Sequence, residues 1–160
     1  MSAAPGAGDD DRDLPLLLRR ASEAVDALVL EGLARRGHED VRMPGLHILR
    51  RSRGHWGLPI SSLAEHLGVS AQAASKIVKT LVAKDLMLTC PHPGDGRAVL
   101  AQPTWEGLRV IEAADGAIED GLDALGDEVD AAELSRCVRT LRAWTHDPGQ
   151  WWPGPGRPVW

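Results

Sequence analysis

The chain has 160 residues, 43% of them hydrophobic and 26% charged, with a net charge of −5. That length supports one domain with a real core, and because Phe and Tyr are absent the core has to be built from Leu, Val, Ile and Ala. Only Cys90 and Cys137 are available as thiols, which excludes a disulfide framework; no run reaches the length of a membrane span and no apolar secretory segment opens the chain, so the expectation is a cytoplasmic protein with no membrane partner.

The acidic total hides a segregation. Residues 1–41 carry −4, residues 42–109 carry +5, and residues 110–160 carry −6. Local potential, not the average, governs attraction to phosphate, so the central segment is the place to look for a nucleic-acid contact. Chance segregation of charge is the plainer reading.

Residues 1–12 are small, polar and acidic, and read as a disordered tail. Asp13 is placed to cap a first helix with Pro15 in its first turn, and Leu14, Leu17, Leu18, Ala21, Val25, Leu28, Val29 and Leu33 hold helical spacing to about Arg36, where Gly37 stops it. A second helix is predicted over Met43–Arg53, with Leu46 and Leu49 inward. Gly54 to Pro59 reads as a loop containing Trp56. Ser62 and Glu65 have capping-box spacing for a short helix with Leu63 and Leu67 inside.

Gly68-Val69-Ser70 then makes a tight turn, and Ser70 caps the most informative helix of the chain. Over Ser70–Lys84 the apolar Ala74, Ile77, Val78, Leu81 and Val82 form one stripe, while Gln72, Ser75, Lys76 and Lys79 form the other. A helix that buries one stripe and presents amide, hydroxyl and ammonium groups on the other has the shape and chemistry to lie in a DNA groove. Leu86–Cys90 and Ala98–Gln102 read as two short strands joined by a loop holding Pro91, Pro93, Gly94 and Gly96. Thr104 caps a long helix with Leu108, Ile111, Ala114, Ile118, Leu122 and Leu125 on one side, broken at Gly126. Asp130 and Glu133 restart a last helix with Leu134, Cys137, Val138, Leu141 and Trp144 inward. Residues 148–160 are rich in Pro and Gly and carry Trp151, Trp152 and Trp160. They read as a disordered extension, or as a segment whose indoles pack on the rest of the protein.

Three motifs in this order resemble the MarR family of winged-helix regulators: Leu63–Met87 (LAEHLGVSAQAASKIVKTLVAKDLM), the wing motif Asp95-Gly96-Arg97, and the helix start Pro103–Gly107 (PTWEG). The resemblance covers about residues 14–145. Pro103 departs from the family's usual apolar strand residue, the wing carries only Arg97 and His92 as basic groups, and PGLHILRRSRG replaces an aromatic-containing second helix. The implied fold is mainly α with a small β-hairpin wing: one domain over 13–147, with a DNA-binding lobe at about 43–103 and dimerisation helices at about 14–36 and 104–146.

The resemblance implies a homodimeric, ligand-responsive repressor that sets two recognition helices into successive major grooves of a pseudo-palindromic double-stranded DNA site. Gln72 would face adenine, Lys76 and Lys79 guanine or phosphate, Ser70 and Ser75 phosphate, and Arg97 the minor groove with Asp95 orienting it. Each has a plainer reading: Ser70 is a helix cap, Lys76 and Lys79 are solvated, and Arg97 pairs with Asp95. A small aromatic or phenolic effector would sit in a crevice near His47, Arg50, Trp56 and Trp105, residues equally readable as core-edge or solvated positions.

No catalytic motif is present, and no catalytic residue, cofactor or metal is expected. Cys90-Pro-His92 with Asp95 lacks a second ligand pair, and Cys90 reads as a small buried strand residue. The alternative function is a small-molecule-binding or catalytic protein on the same scaffold that has lost DNA binding.

Overall fold

A computed structural model describes residues 13–54, 57–125 and 130–146. The expectations placed on residues 1–12, Trp56, Gly126 and 148–160 therefore lie outside the described residues. The element order is α1 (Leu14–Arg35), α2 (Met43–Ser52), β1 (Leu58–Pro59), α3 (Ile60–Leu67), α4 (Ala71–Ala83), β2 (Met87–His92), β3 (Asp95–Pro103), α5 (Trp105–Leu125) and α6 (Ala131–His146). The chain divides into two compact units, residues 1–119 and 120–160.

In the first unit, Val29 and Leu33 of α1, Leu46, Ile48 and Leu49 of α2, Leu63 of α3, Val78 and Leu81 of α4, Met87 of β2 and Val110 and Ile111 of α5 close one aliphatic core. Burying each such side chain contributes about 1.5–3 kcal/mol, which stabilises the lobe without aromatic residues. Gly32 of α1 lies directly against Ala117 of α5, so these two helices approach with almost no side chain between them.

The three strands form an antiparallel sheet ordered β1-β3-β2. The hairpin expected from the sequence is present as β2 and β3, and a third strand is added to it: Leu58 and Pro59, read as loop, pair with Ala101 and Leu100. Two residues are too few to show strand periodicity, and Pro59 lies in an edge strand where its missing N–H is tolerated. β2 also runs further than expected, through Pro91, which pairs with Val99 before an irregularity between Pro91 and His92. β2 is the other edge strand, so the same tolerance applies. Cys90, expected to be buried there, is exposed.

Helix starts differ from the sequence reading in two places. α3 begins at Ile60 directly out of β1 with Pro59 as its N-cap residue, so Ser62 lies inside the helix and caps nothing. Asp13 occupies the N-cap position of α1 in a helical conformation and makes no side-chain cap. By contrast, the Ser70 hydroxyl accepts from the Ala73 N–H at 3.2 Å, and Gly68 closes α3 in the left-handed region at φ 67°. Ser70→Ala is expected to lower stability by about 1 kcal/mol, read by urea denaturation.

The second unit contains the end of α5 and all of α6. Asp130 accepts from the Ala132 N–H at 2.6 Å and caps α6. The stripe expected to face inward is largely uncovered: Leu122, Val138 and Trp144 are 40%, 39% and 45% exposed, and Cys137 is exposed. Helical periodicity identifies an apolar face correctly but does not say what covers it. In the first unit, Leu14, Leu17 and Val25 of α1 are exposed in the same way.

Candidate nucleic-acid interface

The orientation of α4 follows from its two stripes. Ala74, Val78 and Leu81 are buried, which turns Gln72, Lys76 and Lys79 to solvent and leaves Ser75 half-buried. Ser70, Gln72, Ser75, Lys76 and Lys79 line one shallow concavity of ≈ 500 Å³. A second hollow of ≈ 230 Å³ is lined by Ile60, Ser61, Ala71, Ser75, Arg97 and Val99, among others. Ser75 borders both hollows, so the outward face of α4, the first turn of α3 and the start of β3 form one continuous surface. Nothing local in the sequence points to Ser61; only the register of β1 brings it beside Arg97.

The charge on this surface is uncompensated. Among the described residues, no carboxylate forms an ion pair with Lys76, Lys79 or Arg97. Asp95 acts on the backbone: its Oδ1 accepts from the Arg97 N–H at 3.0 Å. It thereby fixes the turn that presents Arg97 and leaves the guanidinium to solvent.

The residues assigned to an effector crevice are less unified. Trp105 is 75% exposed at the start of α5, and His47 is exposed on α2. Arg50 is half-buried and engaged: its Nη2 lies 2.7 Å from Asp115 Oδ1, while Arg53 Nη1 lies 3.2 Å from Asp115 Oδ2. Asp115 of α5 therefore joins the C-terminal turn of α2, and the buried Arg50 Nε has no hydrogen-bond partner among the described residues. No local signal links residues 62–65 positions apart, so Asp115 was not legible in the sequence. His66 on α3 has its pKa lowered, first by burial and then by the positive Arg51 and by His47 nearby. It is a neutral neighbour near pH 7 and adds no cation to the surface.

Among the described residues, no three His, Cys, Asp or Glu side chains gather as a metal site, and no helix is long and apolar enough to cross a membrane.

Comparison with known proteins agrees with this geometry. Residues 41–99 match the model of the MarR family. A solved cysteine-to-serine mutant of Escherichia coli MarR complexed with operator DNA is 21% identical with a TM-score of 0.70, over 88% of this chain and 99% of that one. RV1404 from Mycobacterium tuberculosis is 26% identical with a TM-score of 0.69, over 93% and 99%. CouR from Rhodococcus jostii, solved with p-coumaroyl-CoA, is 19% identical with a TM-score of 0.67, over 82% and 90%. No curated protein sequence matches. The matched segment contains both the two-faced helix and the Asp95-Gly96-Arg97 turn, and the chain has the winged-helix fold of these solved MarR-family proteins.

Proposed function

We propose that this chain is a DNA-binding repressor that works as a homodimer and responds to a small molecule. The observation that carries the reading is the continuous surface of α4 and β3 on which Lys76, Lys79 and Arg97 stand without carboxylate partners among the described residues. Cations held in this way gain from meeting phosphate, because binding releases the counterions condensed on DNA. On this reading α4 enters the major groove, Gln72 faces base edges, Ser70 and Ser75 meet phosphate, and Arg97 follows the minor groove. The complex of E. coli MarR with operator DNA supports the placement by fold.

Dimerisation is proposed from the exposed apolar residues Leu14, Leu17 and Val25 of α1 and Val138 and Trp144 of α6, each covered by a second copy of the chain. Two copies of α4 would then read a pseudo-palindromic site. For the effector, Arg50 is the residue of the expected set with a geometric argument, because its ion pair with Asp115 links α2 to α5. A ligand that alters this pair shifts the population of lobe positions and so the DNA affinity. CouR's complex with a CoA ester supports ligand response on this fold.

The test is a mobility-shift titration of the full chain against the DNA upstream of its own gene, at low and stated salt. A discrete shifted band is expected at nanomolar to micromolar protein. A folded dimer that produces no shift at low salt would defeat the reading.

A further inference from the structure

All three lysines of the chain fall on α4 or its C-cap, and they are not used alike. Lys76 and Lys79 stand outward, whereas Lys84 turns back toward the turn between α1 and α2. Its Nζ lies 2.8 Å from Asp40 Oδ2 and also donates to the Asp40 carbonyl, so one ammonium grips a side chain and a backbone at the same residue. The Asp40 carboxyl is held below its usual pKa, chiefly by this hydrogen bond, and the pair is therefore charged at neutral pH. The acceptor is itself firmly placed. Val41 beside it is buried, the Val41 N–H donates to the His38 carbonyl at 3.1 Å, and the His38 N–H donates to the Leu33 carbonyl at 2.9 Å, which fastens the turn to α1. An ion pair this exposed adds little to stability. What it adds is direction.

The inward stripe of α4 cannot supply that direction. Ala74, Val78 and Leu81 are short aliphatic side chains, and apolar burial is not directional, so it decides which face turns inward without pinning the rotation of the helix about its axis. Hydrogen bonds do depend on angle. The end of α4 has them on two sides: Lys84 to Asp40 on one, and on the other the Thr104 hydroxyl donating to the Asp85 carbonyl at 2.6 Å with the Thr104 N–H donating to the Leu86 carbonyl at 3.1 Å. We propose that Asp40 and Lys84 are positioning residues. Their pair sets the rotation of α4 and so the aim of Gln72, Lys76 and Lys79, and Lys84 is not itself a phosphate contact. The effect on DNA rests on the proposed function; the hold on the end of α4 does not.

The sign of one substitution separates this account from simple electrostatics. Removing a carboxylate from a DNA-binding protein lifts a repulsion from phosphate and tightens binding. Asp40→Ala is expected instead to weaken the affinity of the full chain for the DNA upstream of its gene at least threefold; should that variant fail to fold, Asp40→Asn carries the same expectation. Lys84→Met is expected to weaken binding at least fivefold with the salt slope of the parent, and the double variant to bind no more weakly than Lys84→Met alone. A lysine on phosphate would lower the slope by about 1.8 for a dimer with two copies. Without DNA, amide hydrogen exchange at Leu81, Val82 and Ala83 is expected to quicken at least fivefold in either single variant, while α3 exchanges as in the parent. Unchanged or tighter DNA binding by Asp40→Ala, or a reduced slope in Lys84→Met, would overturn the positioning role, and unchanged exchange would overturn the hold on α4. A parent that binds no DNA would sink the proposed function and leave exchange to decide whether the pair holds the helix.

Discussion

Gly107→Ala is expected to destabilise the protein by about 3 kcal/mol or more, against the usual rule for a glycine inside a helix. In an open helical position the same change stabilises by up to about 1 kcal/mol, because alanine loses less backbone entropy. Here a Cβ would fall far inside van der Waals contact with the Leu86 carbonyl oxygen, and would also stand 3.1 Å from Leu49 Cδ2. The obstacle is backbone, and it is pinned from two sides. Leu86 O accepts from the Thr104 N–H at 3.1 Å, while Thr104 Oγ1 accepts from the Gly107 N–H at 3.0 Å and donates to the Asp85 carbonyl at 2.6 Å. These bonds tie the end of α4 to the start of α5 where β3 returns from the wing. Relieving the clash means breaking that junction. Urea denaturation of the variant reads the effect, and a stability equal to or above the parent would show that the junction is looser than the geometry states.

Gly32→Ala is expected to cost about 2–3 kcal/mol for a related reason with a different remedy. The new Cβ would collide with Ala117 Cβ and lie 3.3 Å from Ala117 Cα, so α1 and α5 would have to separate. In this case the obstacle is a side chain. Ala117→Gly removes it at a propensity cost of about 1 kcal/mol. The double variant Gly32→Ala/Ala117→Gly should therefore return close to the stability of the parent, giving a coupling of about 3 kcal/mol in a double-mutant cycle. Additive losses would mean that the helices do not meet at these two residues.

Neither glycine contact could be read from the sequence, although each glycine lies inside a helical pattern where it is locally unfavourable, which is a signal of a packing reason. The two-faced helix was legible because its stripes repeat at 3.6 residues and it is bounded by Gly68 and Ser70, whose roles are local. The third strand was not, because Leu58 and Pro59 become a strand only through Ala101 and Leu100, far along the chain. The same distance concealed Asp115 as the partner of Arg50 and Arg53. For α6 the periodicity names an apolar face, and the face is there; its cover is a tertiary or quaternary matter that spacing does not encode. The link from Asp95 to Arg97 was legible, but not the atom it reaches: the bond runs to the backbone N–H rather than to the guanidinium.

The salt dependence of DNA affinity tests the central claim most directly. Log affinity for the DNA upstream of the gene is measured against log salt for the parent and for Lys76→Ala/Lys79→Ala. The magnitude of the slope falls by about 0.9 for each phosphate that is no longer neutralised, hence by about 3.6 for a dimer that carries two copies of each lysine on phosphate. A slope that drops by that amount, with the variant as stable as the parent, is the expected result. Identical slopes and affinities would remove the outward face of α4 from the DNA interface and contradict the proposed function.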